Sequence, residues 1–264
     1  MVKNPIVFVH GLWMHSNTWN PWMQFFKGHG YESLNPGWPG DGSTVEESRE
    51  NTEAIANHGI TEIADSYAKV IESLPSKPIL IGHSFGGLIV QILLGRGIAS
   101  AAIAIDPAPM KGVWQLPFSA LKAAFAVLDN PFNLNKSVSL TYKQFRYAFA
   151  NAVLEEEAKE LYERCTVPSP ARPLFQAAFA TLNPDAQNKV ITTNATRGPL
   201  LITSGDKDHT VPPVICEATF KKYKKSPAVT EFKSFANRGH SLTIDHGWKQ
   251  IAEYSLQWLN EKRL

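Results

Sequence analysis

The residue whose surroundings are most specific for chemistry is Ser84. It lies in the segment Gly82-His83-Ser84-Phe85-Gly86, directly after an apolar run at 78–83 and before a segment with helical spacing. A G-x-S-x-G segment between a strand and a helix is typical of a sharp turn that presents a serine hydroxyl for nucleophilic attack. Glycines flank such a turn because its backbone packs too closely for side chains. We therefore predict a reactive serine rather than the alternative, a small residue in an ordinary tight turn.

A reactive serine needs a base within reach, and the base needs a carboxylate that fixes its tautomer. Two later segments contain such groups. The segment LLITSGDKDHTVPP offers Asp206 and Asp208 at the end of an apolar run, and SFANRGHSLTID offers His240 after another such run. Asp106 in AIDPAP also ends an apolar run. The residues alone therefore predict His240 as the base and leave three carboxylates open as its partner.

The order and context of these residues resemble those of the α/β-hydrolase superfamily. In that family the acid usually stands in a G-x-x-D-x-x-V-P turn, and the histidine follows the last strand in a G-H-S segment. The matching residues are Gly205, Asp208, Val211 and Pro212 in the first motif and Gly239, His240 and Ser241 in the second. The resemblance covers nearly the whole chain and implies a triad of Ser84, His240 and Asp208, with Asp206 as a loop carboxylate. Asp106 stays open because some family members place their acid after that strand.

Two backbone N–H groups are expected to stabilise the negative charge that develops on the substrate oxygen. The N–H of Phe85 follows the serine at the start of a helix, where the positive end of the helix dipole lies. The segment VFVHGLW resembles the family's H-G-x segment, which implies Leu12 as the second donor and Trp13 as the alternative. His10 and His83 are expected to brace these turns rather than act as bases.

Four apolar runs are expected to be the buried strands that position these residues. They are residues 5–10, 78–83, 101–106 and 199–205. A weaker run spans 31–36, and 228–235 alternates in a way that is typical of a strand nearer the sheet edge. Helical patterns separate the runs, at about 14–28, 61–74, 85–97, 212–224 and 246–262. This rhythm predicts an α/β protein with a doubly wound, mostly parallel sheet of about six strands. The first strand already carries the H-G-x segment, so the family's usual N-terminal strands are expected to be shortened.

One long interval breaks the rhythm and predicts an insertion. From Pro107 to Arg197 the chain has helical patterns and prolines but no convincing strand. We predict an all-helical cap over 108–196, inserted into a core domain formed by 1–107 and 197–264. Trp13 and Trp38 are expected to line an apolar substrate pocket beneath this cap. A stripe of Tyr142, Phe145 and Phe149 is expected in the core of the cap, with pocket lining as the alternative.

Composition excludes several classes of partner. The chain has 264 residues and a net charge of +2, and its basic residues are scattered, so we expect no nucleic-acid partner. The two cysteines and eight histidines show no zinc or CxxC spacing, so neither a metal nor a cofactor is expected. No apolar run reaches the roughly 18 residues of a membrane span. Without an export leader pattern, a cytoplasmic location is expected.

These features together predict a serine hydrolase that cleaves small to medium apolar carboxylic esters through an acyl-enzyme. Serine at the turn argues against the dehalogenase and epoxide hydrolase branches, which use aspartate there. Lactonase or perhydrolase chemistry is the alternative on the same triad, because HGLW and GHSFGG resemble segments of cofactor-free haloperoxidases. A non-catalytic receptor for a small ligand is the alternative from another class. The oligomeric state stays open.

Overall fold

The structure is a computed structural model that describes residues 3–264. The strands within this range are β1 (Ile6–Val9), β2 (Ser33–Leu34), β3 (Ile79–His83), β4 (Ala101–Ile105), β5 (Ser137–Val138), β6 (Ser169–Pro170), β7 (Leu200–Gly205) and β8 (Thr230–Phe235). Six of them form one parallel sheet in the order β2-β1-β3-β4-β7-β8. The predicted parallel sheet of about six strands is therefore confirmed, and β8 lies at its edge.

Helices cover both faces of this sheet. The α-helices of the described residues are α1 (Asn20–Lys27), α2 (Val45–Glu50), α3 (Thr52–Ile55), α4 (Ile60–Glu72), α5 (Phe85–Gly95), α6 (Phe118–Leu128), α7 (Tyr142–Ala148), α8 (Glu155–Cys165), α9 (Arg172–Ala178), α10 (Pro213–Lys222) and α11 (Trp248–Glu261), of which α6 to α9 lie in the chain between β4 and β7. Successive side chains of a strand point to opposite faces. In β1, Ile6 and Phe8 pack in a core with α1 and α11, whereas Val7 and Val9 pack in a core with α4 and α5. The strands are apolar at consecutive positions because both faces are buried.

The chain between β4 and β7 carries the predicted insertion, and its architecture differs from the prediction in one respect. Four helices, α6 to α9, are its longest regular elements, but β5 and β6 form a small antiparallel sheet. The expectation of an all-helical insertion is therefore wrong. These strands have two residues each and pair over about 30 intervening residues, so no local periodicity could reveal them. The boundaries at 108 and 196 stay a prediction.

The aromatic stripe of the insertion packs in a core that continues into the sheet domain, since the ring of Phe149 also lies 4.8 Å from that of His240. Phe145 and Phe149 are fully buried, and their rings stack with centres 5.4 Å apart. Tyr142 lies beside them with its ring centre 5.6 Å from that of Tyr162. None of the helices within residues 3–264 combines the length and the apolar character that crossing a bilayer requires.

Candidate active site

Ser84 stands alone between β3 and α5 in a strained turn. Its φ is +56° and its ψ is −121°, in a region that a residue with a side chain occupies only when its surroundings hold it there. A Cβ on Gly82 would collide with the carbonyl oxygen of Gly86, and one on Gly86 would collide with that of Val9. A Cβ on Gly11 would lie 2.8 Å from the Cβ of Ser84. The three glycines are needed because backbone packs directly against the serine turn.

His240 and Asp208 form a buried hydrogen bond. Nδ1 of His240 lies 2.5 Å from Oδ2 of Asp208, and neither side chain is exposed to solvent. Asp208 follows β7, and its Oδ1 accepts hydrogen bonds from the backbone N–H groups of Thr210 (2.7 Å) and Val211 (2.8 Å). These bonds hold the carboxylate in the orientation that faces His240. The arrangement keeps the Nδ1–H tautomer of the imidazole and leaves Nε2 as its basic nitrogen.

The pKa of Asp208 is lowered from 3.8 to about 2. Burial is the largest influence and by itself would raise this pKa, but the charge of His240 and the hydrogen bonds from His240 and the backbone N–H of Val211 lower it. The carboxylate is therefore ionised at neutral pH and can stabilise a positive imidazolium.

Nε2 of His240 is buried and has no hydrogen-bond partner among residues 3–264. Of the three predicted triad residues, His240 and Asp208 are therefore hydrogen-bonded to each other, whereas Ser84 makes no hydrogen bond to His240 in this structure. Ser84 is nevertheless close in the fold, since the ring of His83, the preceding residue, lies 4.5 Å from the ring of His240. Catalytic hydrogen bonds are often long in ligand-free enzymes and shorten when substrate binds.

The two other histidines near the site have structural surroundings. Burial, followed by the charge of His240, holds the pKa of His83 well below its ordinary value, so this imidazole is neutral. His10 places Nδ1 3.0 Å from the carbonyl oxygen of Gly11 and Nε2 3.0 Å from a carboxylate oxygen of Asp41. Both contacts fix the loop that follows β1 (residues 10–15), which we call the β1 loop.

The candidate oxyanion donors are the N–H groups of Leu12 and Phe85. Among residues 3–264, no backbone carbonyl accepts a hydrogen bond from either group, and both residues line the same cavity as Ser84. The alternative donor, Trp13, is already engaged, because its N–H donates to Oγ of Ser169 at 2.5 Å. The geometry therefore favours Leu12 over Trp13.

Trp13 ties the β1 loop to the insertion through two further hydrogen bonds. Its indole N–H donates to the carbonyl oxygen of Val138 at 2.9 Å, and its own carbonyl accepts from the N–H of Val167 at 3.0 Å. Trp13 has a φ of +64°, which is unusual for a tryptophan. No sequence pattern indicated these contacts, since they join segments more than 120 residues apart.

Ser84 lines a cavity of about 160 Å³ with predominantly apolar walls. Besides Leu12, Trp13 and Phe85, the residues that line it include Met110, Ala120, Leu121, Ala123, Leu140, Leu174 and Ala177. Most of these belong to the insertion. Trp13 is among the residues that line this cavity, and its contact with substrate stays a prediction. The structure does not bring Trp38 to this cavity, because its ring stacks on His10 with centres 5.0 Å apart.

Comparison with known proteins gives consistent results. Residues 6–254 match the sequence profile described as the alpha/beta hydrolase family. Among solved structures, a monoacylglycerol lipase of Paleococcus ferrophilus is 21% identical with a TM-score of 0.69, covering 97% of this chain and 95% of that one. An extracellular alpha/beta-hydrolase from a Paenibacillus species is 22% identical with a TM-score of 0.71, covering 97% of this chain and 98% of that one.

One curated relative matches in sequence. It is the (E)-2-((N-methylformamido)methylene)succinate hydrolase of Acinetobacter baylyi, 27% identical over 120 residues. The match spans 45% of this chain and 41% of that protein, about two fifths of its length.

Proposed function

The chain belongs to the alpha/beta hydrolase family, and we propose that it is a serine hydrolase that cleaves apolar carboxylic esters through an acyl-enzyme. The observation that carries this proposal is the 2.5 Å hydrogen bond between buried His240 and Asp208 beside a strained serine turn. A serine alone is a weak nucleophile, so a base oriented in this way is the feature that esterase chemistry requires.

The first half of the proposed reaction forms the acyl-enzyme. Oγ of Ser84 attacks the ester carbonyl carbon while Nε2 of His240 takes the hydroxyl proton, and Asp208 stabilises the resulting imidazolium. The carbonyl oxygen becomes an oxyanion that accepts hydrogen bonds from the N–H groups of Leu12 and Phe85. When the tetrahedral intermediate collapses, the carbon–oxygen bond of the ester breaks and His240 gives its proton to the leaving alcohol.

The second half repeats the chemistry with water. His240 takes a proton from water, the hydroxide oxygen attacks the acyl carbon, and collapse returns the proton to Oγ of Ser84 as the carboxylic acid leaves. Every group is then back in its starting protonation state.

The apolar character of the cavity supports a preference for esters whose acyl or alcohol group is apolar. Its walls are chiefly alanine and leucine, and burial of a CH₂ group against such walls contributes roughly 0.8 kcal/mol. A volume of about 160 Å³ favours a small to medium group.

The test is reaction with a fluorophosphonate probe, together with hydrolysis of p-nitrophenyl esters from acetate to octanoate. Wild type should become labelled and turn the esters over, whereas Ser84→Ala should lose labelling and at least about 10³-fold of kcat with an unchanged melting temperature. Ser73→Ala, a substitution at an exposed serine, is the matched control and should behave as wild type.

Hydrolysis that survives in Ser84→Ala would contradict the proposed nucleophile. Labelling of the protein by the fluorophosphonate, together with only a single turnover of the p-nitrophenyl esters, would favour a small-ligand receptor instead. Bromination that depends on peroxide and exceeds ester hydrolysis would favour the perhydrolase alternative.

A further inference from the structure

A second carboxyl group lies beside the His240–Asp208 pair. Asp106 directly follows β4 and is fully buried. A side-chain nitrogen or oxygen from each of Asp106, Asp208 and His240 lies within 4.8 Å of the others. The φ of Asp106 is +42°, a left-handed value that persists at a non-glycine residue only where the surroundings fix it. The fold therefore holds this carboxyl in a defined position next to the acid of the candidate triad.

The hydrogen bonds of Asp106 account for only one of its two oxygens. Oδ1 accepts from the backbone N–H of Gly205 at 3.0 Å. Oδ2 is buried, and no N–H or O–H group of residues 3–264 donates to it. An ionised oxygen buried without a donor is costly. A protonated Oδ2 needs no donor, because it is itself a donor and the adjacent Asp208 carboxylate can accept.

The charges around Asp106 point the same way. The titratable and charged groups that influence it are Asp208 after β7, His240 beyond β8, Cys216 on α10 and Arg238 in the loop after β8. Two carboxylates this close repel each other, so one of them is favoured in its neutral form. Asp208 has the imidazole and two backbone N–H groups on its oxygens and stays ionised.

The pKa directions agree with this division. Burial, and then the charge of Asp208, raise the pKa of Asp106 well above its ordinary value. The N–H of Gly205 and the charge of Arg238 oppose this but are smaller influences.

We propose that Asp106 is a neutral carboxylic acid whose proton forms a hydrogen bond to Asp208 and so positions the carboxylate that orients His240. Asp106 is a positioning residue, because it acts through Asp208 and does not touch the reacting atoms. This role rests on the proposed function. It also predicts a kinetic effect. The hydrogen bond from Asp106 spreads the negative charge of Asp208, and its loss would concentrate that charge on the oxygen that faces His240.

Two variants test this role. Asp106→Asn keeps an acceptor for Gly205 and places an N–H donor toward Asp208, whereas Asp106→Ala removes both. Asp106→Asn should hydrolyse p-nitrophenyl esters within about threefold of wild type. Asp106→Ala should lose about 10- to 100-fold in kcat, the effect of one hydrogen bond to a charged group. The acid limb of its kcat/KM profile should move to higher pH, while that of Asp106→Asn stays near wild type. A purely structural role would lower stability without moving this limb.

Infrared difference spectroscopy gives a readout that needs no turnover. At neutral pH, wild type minus Asp106→Asn should show a carboxylic-acid C=O band. If that band is present and wild type hydrolyses no ester, the proposed function fails while the neutral state of Asp106 stands.

Three outcomes would overturn the role of Asp106. The first is a difference spectrum with a carboxylate band and no acid band. The second is inactivity or unfolding of Asp106→Asn, which would mean that the ionised form is required. The third is an Asp106→Ala enzyme that folds and keeps the wild-type kcat and pH profile.

Discussion

Replacement of Ser169 by alanine tests whether the insertion holds the β1 loop in its catalytic position. Oγ of Ser169 accepts the N–H of Trp13, and Leu12, whose N–H is the proposed oxyanion donor, is the preceding residue. Both Trp13 and Ser169 are buried. Ser169→Ala therefore leaves a buried N–H without an acceptor.

The size of the effect follows from this loss. A buried donor left unsatisfied costs about 1–3 kcal/mol, which corresponds to a fall of several degrees in Tm for a chain of this size. Two hydrogen bonds between Trp13 and the insertion remain, one donated by its indole N–H and one accepted by its carbonyl, so the loop should shift rather than detach. We expect kcat to fall about tenfold, less than the 10²- to 10³-fold that complete removal of an oxyanion donor costs. KM should change little.

Thermal denaturation and steady-state hydrolysis of p-nitrophenyl butyrate would measure both effects. Ser137→Ala, on the strand that pairs with Ser169, is the matched control and should leave both quantities near wild type. A Ser169→Ala enzyme with lower Tm but wild-type kcat would refute the link between the insertion and the oxyanion donor.

Two further predictions concern the cavity and the acid. Ala123→Phe should fill part of the cavity and reduce kcat/KM for p-nitrophenyl octanoate about tenfold or more relative to that for p-nitrophenyl acetate. The reason is that each methylene excluded from an apolar pocket is worth about 1–3 kcal/mol. An unchanged ratio of the two kcat/KM values would show that the acyl chain binds elsewhere. Because folding lowers the pKa of Asp208, its ionised carboxylate stabilises the folded state at pH values above 3.8, the ordinary pKa of the group. This contribution of about 2 kcal/mol is lost as the pH falls from 3.8 toward about 2. Urea denaturation between pH 3.8 and about 2 should show this loss in the free energy of unfolding of wild type and a smaller loss in that of Asp208→Asn. Equal losses in the two proteins would contradict the assigned contribution of Asp208.

The sequence predicted the sheet and the residues at its carboxyl edge because both depend on local patterns. The apolar runs identified β1, β3, β4 and β7, and the motif glycines identified Ser84 as the residue of the turn. Helix α2 was not predicted, although its start has a local cue. Thr44 is followed three residues later by Glu47, a helix-start signature, and its side chain accepts the N–H of Glu47 in the structure.

What could not be predicted depends on contacts between distant segments. The N–H of Trp13 donates a hydrogen bond to Oγ of Ser169, and β5 pairs with β6. Both contacts join residues that belong to no common periodic pattern in the sequence. Trp38 was expected at the pocket, but its position depends on stacking against His10. The proximity of Asp106 to Asp208 likewise follows from the pairing of β4 with β7 across the whole insertion.

That pairing has a consequence for refolding experiments. Ser84 belongs to the chain before the insertion, whereas Asp208 and His240 follow it, and they meet only when β4 aligns with β7 at Ile105 and Thr203. Shifting this alignment by one residue would turn every side chain of β7 to the opposite face. A chain with only its first half ordered would hold the serine but no base. Recovery of Ser84 reactivity after dilution from denaturant would therefore be a kinetic marker for the pairing of β4 with β7.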